Sequence, residues 1–162
     1  SAFEQIDAID VLINNAGVIV NGDLTETPDE TIENVITTNT LGAIYVAKAA
    51  LKLMKSQKSG RIINVISQAG INAKANRSVY NASKWAMTGF TKAIEDEAKE
   101  YGVLVTGFYP GTINTDLFAK AGLKLNGSSL SKDDAVGAIK YVISLSDDVA
   151  VPEFGIKPAY KF

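Results

Sequence analysis

Arg61-Ile62-Ile63-Asn64-Val65-Ile66-Ser67 is the run that decides the fold class. Its apolar side chains occupy both alternating faces of a strand, so both faces must be covered, as in a parallel sheet with helices on either side. At Ser67 the strand is expected to open into a loop. Downstream, Tyr80-Asn81-Ala82-Ser83-Lys84 sets Tyr80 and Lys84 four residues apart, which places both on one face of a helix.

Working outward, short apolar runs alternate with longer periodic segments, the pattern of a parallel α/β sheet. A first strand is predicted over 9–13, leading into Asn14-Asn15-Ala16-Gly17. Thr27-Pro28-Asp29-Glu30 reads as a helix start, with Thr27 as N-cap, Pro28 at the first helical position and Glu30 closing a capping box. Its apolar face, Ile32, Val35 and Ile36, meets the polar run Thr37-Thr38-Asn39-Thr40, so a kink is expected at Asn39 before periodicity resumes at Leu41, Ile44, Ala47, Leu51 and Met54. A strand over 61–66 and a long helix over 80–101 follow, the helix stopped by Gly102. A third strand over 103–108 breaks at Pro110-Gly111. Residues 117–130 read as a loop or lid with short helical pieces, and Ser131-Lys132-Asp133-Asp134 starts a last helix reaching about 144. A short final strand is expected over 154–157, and residues 1–5 read as the tail of a helix already under way.

The chain has 162 residues, enough for one domain, and a formal charge of −2 that favours neither a nucleic-acid nor an anionic-membrane partner. It contains no cysteine and no histidine, so thiolate chemistry is excluded and no metal site is expected. Proton transfer must then use Tyr, Lys, Asp or Glu. No stretch is long and apolar enough for a membrane span, and no leader pattern is seen at the N-terminus, so the expected location is cytoplasmic.

Asn39, Ser67, Tyr80 and Lys84 are the candidate chemical residues. Taken singly, each has an ordinary explanation: a kink residue, a turn serine, the anchor of a helix start and a solvated helix-face charge. Asn14-Asn15-Ala16-Gly17 reads equally as a strand-end turn. Trp85, Phe90 and Ile94 are assigned to packing, and Glu95-Asp96-Glu97 to a mainly solvated helix face.

Taken together, the order and separation of Asn14-Asn15-Ala16-Gly17, Asn39, Ser67, Tyr80-x3-Lys84 and Pro110-Gly111-Thr112-Ile113-Asn114-Thr115 resemble the short-chain dehydrogenase/reductase family over nearly the whole chain. The resemblance implies a Rossmann-like, doubly wound α/β sheet and interconversion of a ketone and a secondary alcohol with NAD or NADP. It implies that Tyr80 is the acid/base, Lys84 its pKa tuner and a ligand of the nicotinamide ribose, and Ser67 the stabiliser of the substrate oxygen. Asn39 would support a water-linked proton relay. Thr115 and Ile113 would hold the carboxamide, with Asn15, Ala16 and Gly17 along the cofactor. An ordinary phenol titrates near ~10, so lowering it by ~3 units requires ~4 kcal/mol of phenolate stabilisation, which the lysine and the oxidised nicotinamide are expected to supply.

The family's opening strand, Thr-Gly-x3-Gly-x-Gly turn and helix are not in this sequence. The expectation is therefore a single truncated domain over 1–162, a partial Rossmann-like sheet without its first strands, inactive by itself as an enzyme fragment. The alternative is a cofactor-free, catalytically dead dimerisation module. Val11, Leu12 and Ile13 would then form an open sheet edge, and a homo-oligomer is expected across that edge or through the two long helices that form subunit contacts in the family. A small carbonyl or alcohol is the expected substrate partner, and residues 152–158 resemble the endings of general alcohol and carbonyl reductases.

Overall fold

A computed structural model of the chain describes residues 6–125 and 127–159. The helix tail expected at residues 1–5 lies outside them. Among the described residues the strands are β1 (Val11–Asn14), β2 (Gly60–Val65), β3 (Val103–Phe108) and β4 (Glu153–Phe154), all parallel and side by side in that order. The α-helices are α1 (Asp29–Ile36), α2 (Ala43–Gln57), α3 (Ser78–Ala98), α4 (Asp116–Lys120) and α5 (Lys132–Ser144).

The double-sided character of β2 is realised. Ile62 faces a core built with Leu12, Val103 and Val105 of the sheet and Ala47, Met54 and Ile94 of α2 and α3. Its neighbour Ile63 faces the opposite layer, where Phe108, Ala135 and Val142 pack with Phe154. The Phe108 and Phe154 rings stack with centroids 4.5 Å apart, which seats the two-residue strand β4 against β3. Each fully buried aliphatic side chain in such a core contributes about 1.5–3 kcal/mol, and the two layers cover both faces of the sheet.

Between α1 and α2 the chain forms a wide π-turn at Thr37–Gly42, the irregularity expected at Asn39. The wider turn buries two successive polar residues, Asn39 and Thr40, where an α-helix would turn one of them outward. The capping box expected at α1 does not form. Thr27 Oγ1 donates to Asp23 O at 2.8 Å, so its hydroxyl is already committed, and Pro28 occupies the N-cap without a side-chain bond. At α5 the box is present, with Ser131 and Asp134 bonding reciprocally. Helix α3 starts at Ser78 and gives way to a 3-10 turn at Lys99–Tyr101, which Gly102 ends with φ 69°. Trp85, expected in the packing, is instead exposed on α3, whereas Ile94 is buried. Its position on the outward side of the helix is the reason. No helix among the described residues is long and apolar enough to cross a membrane.

Candidate active site

The parallel strands all end on the same side, and the candidate residues gather there, outside the C-termini of β1, β2 and β3, where open α/β sheets bind ligands. A cavity of about 420 Å³ is lined by Asn15, Gly17, Ser67, Tyr80, Lys84 and Thr115, together with Ile113 and its neighbours. Ala16 is exposed beside it and is not part of its wall. A second cavity of about 600 Å³ shares Ser67 and Tyr80 with the first and is also lined by Lys74, Arg77 and Phe118.

Ser67 follows β2 with φ 153° and ψ 160°, a region almost reserved for glycine. Its Oγ accepts from Ala69 N at 3.0 Å, the bond that caps the following 3-10 turn Gln68–Gly70. Gly70 lets that turn lie against α3. A Cβ there would stand 2.7 Å from Ile66 Cγ2, 2.8 Å from Thr88 Oγ1 and 3.0 Å from Lys84 O. The close approach brings Ser67 to the face of α3 that carries Tyr80.

Tyr80 and Lys84 are both buried, 7% and 6% exposed, although the helix start they belong to borders the cavity. Lys84 Nζ donates to Val65 O at 3.3 Å and lies 5.9 Å from the centre of the Tyr80 ring. It also stands 3.6 Å from where a Cβ on Gly17 would be, so Gly17 leaves the ammonium room at the cavity wall. Burial holds the Lys84 pKa down to about 8. The Tyr80 pKa is raised in the protein by itself. Burial of the phenol outweighs hydrogen bonding from Ser67 and the positive charge of Arg77, which both favour phenolate. Arg77, a residue that sequence reading did not single out, thus adds a positive charge near Tyr80 besides the Lys84 ammonium.

Asn39 does not line the cavity. It is 1% exposed and lies behind it, where its side chain copies a strand partner: Oδ1 accepts from Val18 N at 2.7 Å and Nδ2 donates to Val18 O at 2.9 Å. Nδ2 also donates to Ser83 Oγ at 3.0 Å, and Ser83 Oγ donates to Tyr80 O at 2.7 Å. Thr40 Oγ1 donates to Ser83 O at 3.2 Å. The π-turn is therefore tied to the first turn of α3 through Ser83, while Asn39 pins the segment after Gly17. A second buried chain runs from Asn14 Nδ2 to Asn64 Oδ1 at 3.3 Å and from Asn64 Nδ2 to Thr91 Oγ1 at 2.9 Å. Asn64, Ser83 and Thr91 escaped the sequence reading because nothing local separates a buried polar residue from an exposed one.

Thr115 caps α4 by accepting from Leu117 N at 3.4 Å. The segment before it is held by a parallel bridge between Ile113 and Leu130 and by the bonds Gly111 N to Ile156 O (2.7 Å) and Leu130 N to Thr112 O (2.8 Å). These fix Ile113 and Thr115 in the wall of the cavity that Gly17 also lines. The donor set suits the nicotinamide end of a dinucleotide: a buried lysine, a glycine whose missing side chain leaves space, and a threonine in the same wall.

A family model described as short chain dehydrogenase matches residues 1–126. An uncharacterised oxidoreductase of Staphylococcus saprophyticus is 34% identical over 155 residues, 96% of this chain and 66% of that protein. Among solved structures, the closed form of a serine dehydrogenase complexed with NADP+ superposes with a TM-score of 0.87 at 26% identity, over 96% of this chain and 68% of the other. A 4-hydroxyisoleucine dehydrogenase complexed with NADH and succinate superposes with a TM-score of 0.82 at 28% identity, over 96% and 69%. The chain spans about two thirds of the length of these relatives, at 66%, 68% and 69%.

Proposed function

This chain belongs to the short-chain dehydrogenase family, and we propose that it forms, as one domain, the catalytic part of an NAD(P)-dependent oxidoreductase that interconverts a small ketone and a secondary alcohol. The observation that carries the proposal is the convergence of Ser67, Tyr80 and Lys84 on one cavity that Gly17 and Thr115 also line. A cofactor-free interaction module would have no use for an ammonium held 6% exposed at a cavity wall, where burial alone disfavours its charge.

The residues lining this cavity would hold a dinucleotide whose chemistry is hydride donation to a carbonyl carbon. Tyr80 Oη gives its proton to the carbonyl oxygen as that oxygen gains the electron pair, so the product is the neutral alcohol. The raised pKa keeps Tyr80 protonated at neutral pH and ready to donate. Ser67 Oγ–H hydrogen-bonds the same oxygen and stabilises the charge developing on it. Lys84 lies beside the ring and would hold the ribose hydroxyls of the dinucleotide, and its ammonium favours the phenolate left behind. Asn39 acts by position: its bonds to Val18 and Ser83 hold the cavity wall and the first turn of α3 together. The tyrosine regains its proton from solvent past Lys84.

The test is Tyr80→Phe in the protein that carries this chain. Loss of a general acid is expected to lower turnover by about 10²–10⁴-fold, while NADPH affinity, read by fluorescence titration, changes less than about threefold because the ring stays in place. Turnover within a factor of about three of the parent would remove Tyr80 from the mechanism.

A further inference from the structure

The second cavity is where a substrate would meet Tyr80 and Ser67, and its charged lining is one-sided. Lys74, Arg77 and Lys157 border it, and no Asp or Glu does. In a chain with 16 basic and 18 acidic residues this is a departure from composition. The remaining wall near the catalytic pair includes Ile19, Leu117 and Phe118, which would cover an apolar body.

Arg77 is the best placed of the three. It directly precedes α3, one turn before Tyr80, and is half-buried. Its Nε donates to Asn21 Oδ1 at 3.3 Å, which orients the guanidinium, and among the described residues its terminal nitrogens make no hydrogen bond. A guanidinium presents a planar fork of donors that matches a carboxylate in two parallel bonds. Lys74 stands exposed on the loop before it and adds a second positive charge at the cavity rim. Partial burial keeps the Arg77 charge from being fully screened, so a bound anion gains more here than on an open surface.

We propose that the carbonyl substrate is an oxo acid, oriented by Arg77 and Lys74 gripping its carboxylate while its carbonyl lies against Tyr80 and Ser67. The proposal rests on the reductase reading of the site and adds to it the substrate's class. The Arg77 charge also favours the phenolate of Tyr80. A carboxylate bound to Arg77 would offset part of that effect, keeping the phenol protonated for donation to an acidic substrate.

Matched pairs differing only in charge provide the test: acetoacetate with methyl acetoacetate, and levulinate with methyl levulinate. Binding is measured by titration calorimetry on the protein carrying this chain, with and without NADP+, and turnover by NADPH oxidation. The expected result is that each acid binds at least tenfold more tightly than its ester, an advantage that shrinks as NaCl rises from about 50 to 500 mM. Arg77→Gln and, separately, Lys74→Gln should each lower the acid-to-ester ratio about fivefold or more, with thermal melts confirming that each variant folds. Lys74 is exposed on a loop, so its variant keeps the test open should Arg77→Gln not fold. Acids binding no better than their esters in both pairs would overturn the proposal, whether or not either is reduced. Arg77-dependent binding of the acids without any NADPH oxidation would support the anion site and count against the reductase reading.

Discussion

Ser67 carries the clearest sign of a residue placed against its own preference. At φ 153° and ψ 160° a side chain is strained by about 1–3 kcal/mol, a strain tolerated where the surroundings over-determine the backbone. Ser67→Gly should therefore denature in urea at a higher midpoint than Ser67→Ala, by about 1 kcal/mol, since both lose the bond to Ala69 N but only glycine relaxes. An alanine variant as stable as the glycine variant would show that the backbone is unstrained. Lys84 carries the opposite kind of cost. Its folded pKa of about 8 lies below the ordinary 10.5, so between those pH values the unfolded chain binds more protons than the folded one. The penalty is full below pH 8, about 3 kcal/mol at 1.36 kcal/mol per pH unit, and is relieved as pH climbs toward 10.5. Relative to Lys84→Met, the parent protein should gain stability by that order between pH 8 and 10.5 in urea melts. Parallel stability curves for the two would rule this out.

At the scale of elements, the site depends on how the π-turn meets α3. Thr37–Gly42 brings Asn39 and Thr40 inward together, and both bond toward the Ser83 turn that precedes Lys84. Asn39 is the only side chain that contacts both the Val18 backbone and α3 in this set of bonds. Replacing it by alanine leaves Val18 N, Val18 O and Ser83 Oγ each short of a partner, with a penalty of about 1–3 kcal/mol for a buried group so stranded. Asn39→Ala should destabilise the protein by about 3 kcal/mol in denaturant melts, and Asn39→Asp, which keeps the acceptor for Val18 N but loses both donated bonds, by a comparable amount. A change under about 0.5 kcal/mol for Asn39→Ala would mean that the turn is held by packing alone.

For the molecule as a whole, the sheet is covered on both faces yet open at one side. In the described structure β1 is one of the two edge strands, with Leu12 buried and Ile13 45% exposed. Tyr45 on α2 and Trp85 on α3 are 64% and 51% exposed. Open edges and exposed large aromatics favour association, and we expect this polypeptide to elute from a sizing column as a dimer or larger. Trp85 is the single tryptophan, so its emission should shift to the red on dilution if the helices are the contact. A monomeric elution with emission independent of concentration would refute self-association. Ile13→Lys would weaken it if the β1 edge is the contact instead.

The sequence by itself determined the elements, their order and the register that brings Tyr80 and Lys84 onto one helix face behind a strand ending in Ser67, because periodicity, glycine stops and side-chain spacing are local properties. Even the irregularity at Asn39 was legible, as a polar run interrupting an apolar face. Local signals failed where a group had already been claimed by another: Thr27 spends its hydroxyl on Asp23 O, so the expected cap at α1 is lost. They failed again at Trp85, whose apolar character says nothing about which side of α3 faces the core. Only the tertiary structure decided that Asn39 clamps Val18 from behind the cavity, and that Arg77 brings a second cation near Tyr80. It alone set the phenol's pKa upward. Those outcomes depend on burial and on charges brought together from separate elements, and neither is encoded within any one segment of the chain.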